Sequence, residues 1–321
     1  MKRLRVAVVG AGVMGKHHAN IYAALPHVDL VAVVDPSEAR CAEAREQYAV
    51  ATYPSLDALL AFETLDAASV AAPTSLHYGL SKRLLEAGVH VLVEKPLATE
   101  VAQAEALIRL SRRQNRVLQV GHITRFYRAV DLLRAQVHAP YLIEARRLTP
   151  HARIKDVGVI LDLMIHDIDI VLGLVPAEVA SLSVAGHILN GSPFEDVAAA
   201  QIVFENGCIA RLLASRAAPD GERTLVVAEP QQTIRLDFAR DPHTEVSIYR
   251  PLRDEASSAH GQIETRTIHE DNPLKKELEH FLARIRSSAA PVGTLEDDLR
   301  ALRLASSLMA RLEPVRTPQL V

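Results

Sequence analysis

A glycine-rich turn near the amino terminus is the feature that most constrains the fold. Residues 10–15 read GAGVMG, which has the spacing GxGxxG, and they lie between a β-branched run at 4–9 and helical patterning that continues to about residue 24. In such a strand–turn–helix the first glycine permits a tight turn, the second lets the backbone approach a pyrophosphate, and the third lets the helix pack closely on the strand. The start of the helix adds N–H groups that favour an anion. The predicted cofactor contacts in this turn are Gly10, Gly12, Val13, Met14 and Gly15.

A carboxylate at the end of the second predicted strand indicates which dinucleotide binds. Asp35 follows the apolar run 28–34 and lies 20 residues after Gly15. A carboxylate there accepts hydrogen bonds from the adenosine ribose hydroxyls and repels a 2′-phosphate. We therefore predict NAD as the cofactor. NADP is the less favoured alternative, and it stays open because Ser37 and Arg40 nearby could bind a 2′-phosphate.

The order of the predicted elements defines the fold class. Strands and helices alternate from residue 4 to about residue 120, which predicts a doubly wound parallel sheet, that is, an α/β Rossmann domain. Between about 178 and 250 strand follows strand, and Asn206-Gly207 predicts a hairpin turn. This second part reads as an α+β domain with an open, largely antiparallel sheet. We place the boundary at residue 121, giving domains 1–121 and 122–321, and we expect a mobile loop at 253–261.

Composition excludes several classes of function. The net charge of −3 and the 4% of aromatic residues, with no Trp, argue against nucleic acid as a partner. No apolar run is long enough to cross a bilayer, so we expect no membrane partner. Cys41 and Cys208 lack metal-binding spacing, which indicates a reducing, cytoplasmic environment and no metal site.

Two polar segments follow buried strands of the first domain. Residues 73–77, PTSLH, come after the run 67–71, and Glu94-Lys95-Pro96 come after the run 89–93. Ligands of doubly wound folds bind beyond the carboxyl ends of the strands, where Lys95 would face the nicotinamide. The alternative is that Lys95 is an ordinary solvated lysine. The predicted further cofactor contacts are Pro73, Thr74, His77, Glu94 and Lys95.

A second polar constellation lies on a predicted helix at 159–172. Asp162, His166 and Asp169 are spaced by four and three residues, so they share one face of an α-helix whose other side is apolar. One interpretation is a buried site; the other is a solvated face or a core histidine satisfied by a neighbour.

Several of these segments together resemble the glucose-fructose oxidoreductase/inositol dehydrogenase (Gfo/Idh/MocA) family. The similarity rests on residues 10–15, Asp35, residues 73–77, the stretch AGVHVLVEKPLA at 87–98, and Asp162 with His166, and it covers essentially the whole chain. The resemblance implies a Rossmann domain, a second domain that binds substrate, and a homodimer or homotetramer formed through the free face of the open sheet. It also implies a catalytic trio made up of Lys95, Asp162 and His166.

Within this family, residues 121–126 (GHITRF) and 156–169 (DVGVILDLMIHDID) are most similar to UDP-N-acetylglucosamine 3-dehydrogenases. That similarity implies NAD-dependent oxidation of the sugar's 3-hydroxyl to a 3-keto group. The product would serve amino-sugar synthesis for lipid A or another surface polysaccharide. The alternatives are a dehydrogenase of a free sugar, polyol or inositol, and a non-catalytic NAD-binding sensor.

A basic segment agrees with a nucleotide-sugar substrate. Residues 122–155 contain seven Arg and Lys residues against two acidic ones. Guanidinium groups match the oxygens of a diphosphate, although such a patch also forms on solvated faces or through salt bridges. The predicted substrate contacts are His122, Arg125, Arg153, Lys155, Asp162, His166 and Asp169.

Oxidation of a secondary alcohol needs a group that stabilises the developing alkoxide and a base that takes the proton. Lys95 suits the first role, and His166, which titrates near neutral pH, suits the second. Asp162 would orient the imidazole or bind another hydroxyl. We expect His166 to be the base with Lys95 assisting it, although the two groups can titrate as a coupled pair.

Overall fold

The computed structural model describes residues 3–150, 156–189, 192–240, 242–251 and 261–316. The chain divides into two compact units, the first made of residues 1–123 with 274–299 and the second of residues 124–273 with 300–321. The predicted boundary at 121 lies two residues from the end of the first segment. The prediction put every later residue in the second domain, whereas residues 274–299 belong to the first unit.

The first unit is built on a parallel sheet. Its strands within the described residues are β1 Leu4–Val9, β2 Val28–Val34, β3 Ala51–Tyr53, β4 Ala67–Val70, β5 His90–Glu94 and β6 Leu118–Gly121. They are arranged in the order β3-β2-β1-β4-β5-β6, and every neighbouring pair is parallel. The order reverses between β1 and β4, and such a reversal marks the ligand crevice of a doubly wound sheet. The predicted fold class of this unit is therefore confirmed.

A series of helices connects the successive strands of this unit. They are α1 Val13–Ala24, α2 Glu38–Tyr48, α3 Leu56–Phe62, α4 His77–Glu86 and α5 Val101–Arg113. Ser55 caps α3 by accepting a hydrogen bond from the Ala58 N–H, and α4 is followed by Gly88 at φ +76°. The N-cap of α5 is Glu100, and the hydroxyl of Thr99 before it donates to the Gln103 side chain.

The second unit contains a mostly antiparallel sheet. Its strands in the described ranges are β7 Leu142–Leu148, β8 Val179–Ile188, β9 Val197–Phe204, β10 Ile209–Ser215, β11 Glu222–Glu229, β12 Gln232–Arg240, β13 His243–Arg250, β14 Gln262–His269 and β15 Val315–Arg316. Their order is β14-β13-β12-β11-β7-β10-β9-β8-β15, with parallel pairing only in β7–β10 and β8–β15. The predicted hairpin turn joins β9 to β10, with Gly207 at φ +84°. The open antiparallel architecture is confirmed.

Sequence patterning missed the central strand β7. Its sequence is LIEARRL, and its arginines were counted as part of the basic segment at 122–155. Ile143 and Ala145 alternate with the charged residues and are buried, as in a strand. β3, β14, β15 and the helix α6 Arg128–Gln136 were also not predicted. Most of the predicted loop at 253–261 lies outside the described residues.

Three further helices follow α6 in the described residues, α7 Ile165–Leu174, α8 Pro273–Ser287 and α9 Leu295–Arg311. The apolar face of α8 belongs to the core of the first unit, where Leu278, Phe281 and Leu282 join residues of β1, β2, β4 and α1. α9 begins in the first unit and continues in the second. In the part of the chain that the structure describes, no helix is long and apolar enough to span a membrane.

We expect Phe281→Ala to destabilise the first unit. Phe281 is fully buried, so its truncation should cost about 3–5 kcal/mol of unfolding free energy. The matched control is Phe62→Ala, because Phe62 is 78% exposed and should cost less than about 1 kcal/mol. Denaturant unfolding gives the free energies, and hydrogen exchange should show faster exchange in β1 and β4. Unchanged exchange in those strands would contradict the placement of α8.

Candidate functional site

The glycine turn has the geometry that a dinucleotide requires. Gly10 adopts φ +100°, and a Cβ there would lie 2.5 Å from the Ala71 carbonyl oxygen. A Cβ on Gly15 would overlap the Gly10 carbonyl, so α1 packs against the end of β1 with no room for a side chain. A Cβ on Gly12 would meet nothing within 4 Å, which leaves the backbone open to a ligand. This turn thus fits a bound pyrophosphate, as its sequence predicted.

Asp35 holds the turn from the end of β2. Its Oδ2 accepts a hydrogen bond from the Ala11 N–H at 2.8 Å, and its Oδ1 accepts one from the Ser37 N–H at 2.9 Å. Arg40 donates to the same carboxylate at 3.3 Å, from a side chain that is half exposed. The carboxylate is therefore fixed beside the glycine turn with a guanidinium next to it.

His77 connects the turns that follow β4 and β5. Its ring nitrogens lie 2.8 Å from the Pro96 carbonyl oxygen and 3.0 Å from the Ala72 carbonyl oxygen. Burial lowers the pKa of His77, although both carbonyls and the charge of Glu94 oppose this shift. Thr74 is buried beside it, whereas Pro73 is exposed. His77 thus links the backbone after β4 to the backbone after β5. Its predicted contact with the cofactor stays a prediction.

Glu94 makes a buried contact with a histidine immediately before Lys95. Its Oε1 lies 3.0 Å from His18 Nε2, and the His18 side chain is fully buried. A Cβ on Gly121 of the neighbouring strand would lie 3.3 Å from the Glu94 carboxylate, so this glycine makes room for it. Burial raises the pKa of Glu94, but the hydrogen bond and charge of His18 and the charges of Lys95 and His77 outweigh it. The pKa of Glu94 therefore lies below its ordinary value, and an anion is kept beside the half-buried Lys95.

Sequence reasoning missed His18. The signal that could have found it is its place on α1, where it is buried together with Ala19 and Tyr22 on the apolar side of the helix. A histidine at such a position needs a polar partner. Only the fold shows that the partner is Glu94, 76 residues further along the chain.

In the second unit, Asp162 and His166 lie on one continuous helical segment. The sequence predicted an α-helix starting at 159, but Ile160–Met164 form a π-helical turn before α7, Ile165–Leu174. Such turns are rare and are often found at functional sites. Asp162 is buried within the π-helical turn, and His166 is partly exposed in the first turn of α7.

The third member of the predicted stripe has a partner of its own. Asp169 is buried and accepts hydrogen bonds from two nitrogens of the Arg125 guanidinium, Nε at 2.9 Å and Nη2 at 2.5 Å. Both residues were predicted to contact the substrate, and in the structure they neutralise each other. His122, another predicted contact, is buried with its Nε2 3.8 Å from Asp298 Oδ1. These three substrate contacts stay predictions.

The basic segment is largely neutralised in the same way. Arg147 binds Asp167 through two nitrogens, and Arg146 binds Glu222 at 2.8 Å. Arg134 pairs with Asp131 at 3.2 Å. Salt bridges, the alternative interpretation of this segment, therefore account for most of its described arginines. Arg153 and Lys155 lie outside the described residues.

Comparison with known proteins agrees with this architecture. Residues 4–122 match the model of an oxidoreductase family with an NAD-binding Rossmann fold, GFO_IDH_MocA, and residues 129–236 match the GFO/IDH/MocA C-terminal domain. The chain is 38% identical to UDP-N-acetylglucosamine 3-dehydrogenase of Acidithiobacillus ferrooxidans over 77% of this chain and 74% of that relative. It is 29% identical to scyllo-inositol 2-dehydrogenase (NAD(+)) of Bacillus subtilis over 91% and 89%.

Solved structures show the same fold. The A. ferrooxidans UDP-N-acetylglucosamine 3-dehydrogenase superposes with a TM-score of 0.86 and 32% identity over 98% of this chain and 99% of that one. A protein of gentamicin A biosynthesis in complex with NAD gives 0.83 at 22% identity over 97% and 94%. An Actinomadura kijaniata 3-ketoreductase in complex with NADP gives 0.85 at 20% identity over 99% and 100%.

The doubly wound unit with its dinucleotide turn matches an oxidoreductase family with an NAD-binding Rossmann fold, and most of the open mixed sheet falls in the matched C-terminal domain. The family models and the 38% identical relative make the assignment specific. The chain belongs to the Gfo/Idh/MocA oxidoreductase family.

We expect Glu94→Gln to change how stability depends on acid. The pKa of Glu94 in the folded protein lies below its ordinary value of 4.5, so the stabilisation is present above pH 4.5 and is lost as the pH falls through the folded value. The variant should lose about 1–3 kcal/mol of unfolding free energy at neutral pH and show a shallower decline in acid. Urea unfolding across pH measures both effects. The exposed Glu86→Gln is the control, and a wild-type acid profile in Glu94→Gln would contradict the lowered pKa of Glu94.

Proposed function

We propose that the protein oxidises the 3-hydroxyl of UDP-N-acetylglucosamine to a 3-keto sugar with NAD. The observation that carries this proposal is the 38% identity to an enzyme of that activity over three quarters of both chains. The glycine turn, the half-buried Lys95 at the end of β5, and Asp162 with His166 support it, because they supply a dinucleotide cradle, a cation and a base. The product would feed amino-sugar synthesis for lipid A or a surface polysaccharide.

The proposed roles of Lys95, His166 and Asp162 follow from the charges that develop as the hydroxyl group is oxidised. Lys95 places an ammonium group where alkoxide character develops on the substrate oxygen, which stabilises the transition state more than the ground state. His166 takes the hydroxyl proton, and Asp162 orients its imidazole. When bound, the nicotinamide dinucleotide supplies the hydride acceptor.

A second candidate function is oxidation of an inositol or a free sugar. It is favoured by the 29% identity to a scyllo-inositol 2-dehydrogenase, which extends over 91% of this chain. The pairing of Arg125 with Asp169 and of Arg147 with Asp167 also leaves fewer cations for a diphosphate. The two candidates differ in substrate charge, so one assay separates them.

We further propose that the protein forms a homodimer or homotetramer through the open face of the nine-stranded sheet. Alternate residues of β7, β9 and β10 are buried, and those between them are partly or fully exposed. Ile209, Tyr249 and Ile263 are exposed large apolar residues, and the strand registers place them in one row on that face. Burying such a row against a second copy removes apolar surface from water.

We expect NADH formation with UDP-N-acetylglucosamine and little or none with myo-inositol, scyllo-inositol, glucose or free N-acetylglucosamine. The measurement is absorbance at fixed enzyme and NAD across this panel. Activity confined to the uncharged compounds would favour the second candidate and contradict the first.

The matched variants in the same assay are Lys95→Ala and His166→Asn. Each should lower kcat by at least about 10²-fold, because a positioned cation or base is lost, and NAD affinity should stay near wild type. Titration of NAD by calorimetry checks the affinity. Wild-type turnover in both variants would contradict the proposed roles, and NAD binding without turnover on any compound would favour the sensor.

We expect Asp35→Ala to raise the ratio of kcat/KM for NADP over that for NAD by at least about tenfold. Removal of the carboxylate ends its repulsion of a 2′-phosphate and leaves Arg40 beside the vacated position. The double variant Asp35→Ala/Arg40→Ala should lose most of the gain in NADP use. A wild-type enzyme that already prefers NADP, or a ratio unchanged in Asp35→Ala, would contradict the proposed cofactor preference.

A further inference from the structure

The helical segment that carries Asp162 and His166 begins against a carboxylate from another part of the chain. Glu195, which lies shortly before β9, accepts a hydrogen bond from the Ile160 N–H through its Oε1 at 3.0 Å. The Glu195 carbonyl oxygen accepts a second one from the Val159 N–H at 3.2 Å. Main-chain N–H groups in the first turn of a helix have no partner within the helix, so one residue supplies two of the missing acceptors. Its charge also lies at the positive end of the helix dipole.

Gly158 gives the carboxylate its place. A Cβ at residue 158 would lie 2.0 Å from the Glu195 carboxylate, so any other residue there would displace the carboxylate. The Gly158 carbonyl in turn accepts from the Asp162 N–H at 3.0 Å. Glu195 is therefore packed against the residue that hydrogen-bonds the backbone of Asp162.

The neighbouring residue, Asp196, holds the same segment through Arg216. Asp196 binds the Arg216 guanidinium with an Nε–Oδ1 distance of 2.6 Å, and both residues are buried. Arg216 also donates to the Val157 carbonyl at 3.0 Å. Residues 157–160 are thus held by Glu195 through N–H groups and by Arg216 through a carbonyl.

We propose that Glu195 is a positioning residue that sets the π-helical turn and thereby the placement of Asp162 and His166. The proposal rests on the proposed function, because it is through these two residues that Glu195 would act. A carboxylate locked between Gly158 and the Ile160 N–H fixes where the segment starts and how far it rotates. Since a shift of about 1 Å in a reacting group costs about 10²-fold in rate, this anchoring controls the rate of the chemical step.

The chain offers a matched control in Glu270. This carboxylate is also buried and also caps a helix from elsewhere, accepting from the Arg128 N–H at 2.7 Å and the Ala129 N–H at 3.1 Å at the start of α6. α6 carries none of the proposed catalytic residues. Glu195→Ala and Glu270→Ala therefore remove the same kind of interaction in the same unit and differ in the helix that is affected.

The test measures NADH formation in a single turnover, with whichever sugar the wild type oxidises. Loss of folded protein lowers the amplitude of this reaction, whereas displacement of the catalytic side chains lowers its rate constant. We expect Glu195→Ala to lower the rate constant about 10²-fold with NAD affinity unchanged. Glu195→Gln retains an acceptor oxygen and should lose only about fivefold or less. Glu270→Ala should keep the wild-type rate constant. Gly158→Ala should reproduce the loss seen in Glu195→Ala, and the double variant should be no slower than Glu195→Ala.

Hydrogen exchange makes the test independent of activity. The amides of residues 159–162 should exchange faster in Glu195→Ala and not in Glu270→Ala. Faster exchange with a wild-type rate constant would overturn the positioning role, and so would equal loss of rate in both alanine variants. The variant His166→Asn tests the catalytic assignment separately. Wild-type turnover in His166→Asn would mean that the proposed function fails. An inactive His166→Asn together with a wild-type rate constant in Glu195→Ala would mean that only the positioning proposal fails.

Discussion

The close contact between α1 and the end of β1 is the constraint on which the first unit depends. Gly15 lies so near the Gly10 carbonyl that any side chain would overlap it, and Gly10 itself adopts a backbone conformation that L-residues avoid. The approach brings the start of α1 to the point where the strand order reverses between β1 and β4. A pyrophosphate site and a closely packed helix therefore come from one local geometry, and glycine is the residue that permits both.

Buried carboxylates recur as anchors of backbone N–H groups in both units. Asp35 binds the N–H of Ala11 in the glycine turn, Glu195 binds the start of the π-helical turn, and Glu270 binds the start of α6. The hydrogen bonds that such a carboxylate accepts offset part of the free-energy cost of burying it, and they fix the position of a turn or a helix start. Two of these three anchors hold segments that carry proposed functional residues. The same buried chemistry thus supports the fold and prepares the site.

The described charged residues near the proposed catalytic groups are mostly arranged in pairs. Glu94 binds His18 just before Lys95. Arg125 and Arg147 bind the carboxylates at 169 and 167, which lie within α7 shortly after His166. Pairing reduces the cost of burying charge and keeps these side chains in defined positions. A sequence shows how many charges a segment holds, but pairing decides which of them can meet a ligand. For this reason the count of basic residues in 122–155 overestimates the number of cations that a diphosphate could contact.

Local patterns in the sequence determined most of the first unit and the kind of site it holds. Glycine spacing, short apolar strands and Asp35 depend on interactions within a few dozen residues, so their geometry is readable from order alone. Tertiary structure decided the rest. β7 is recognisable only when β10 and β11 lie beside it, and α8 joins the first unit through packing across more than 150 residues. The start of the π-helical turn is hydrogen-bonded by Glu195, which lies 35 residues after Ile160. His18 and Glu195 act through partners distant in sequence, and no local pattern encodes which carboxylate or N–H group folding will bring to them.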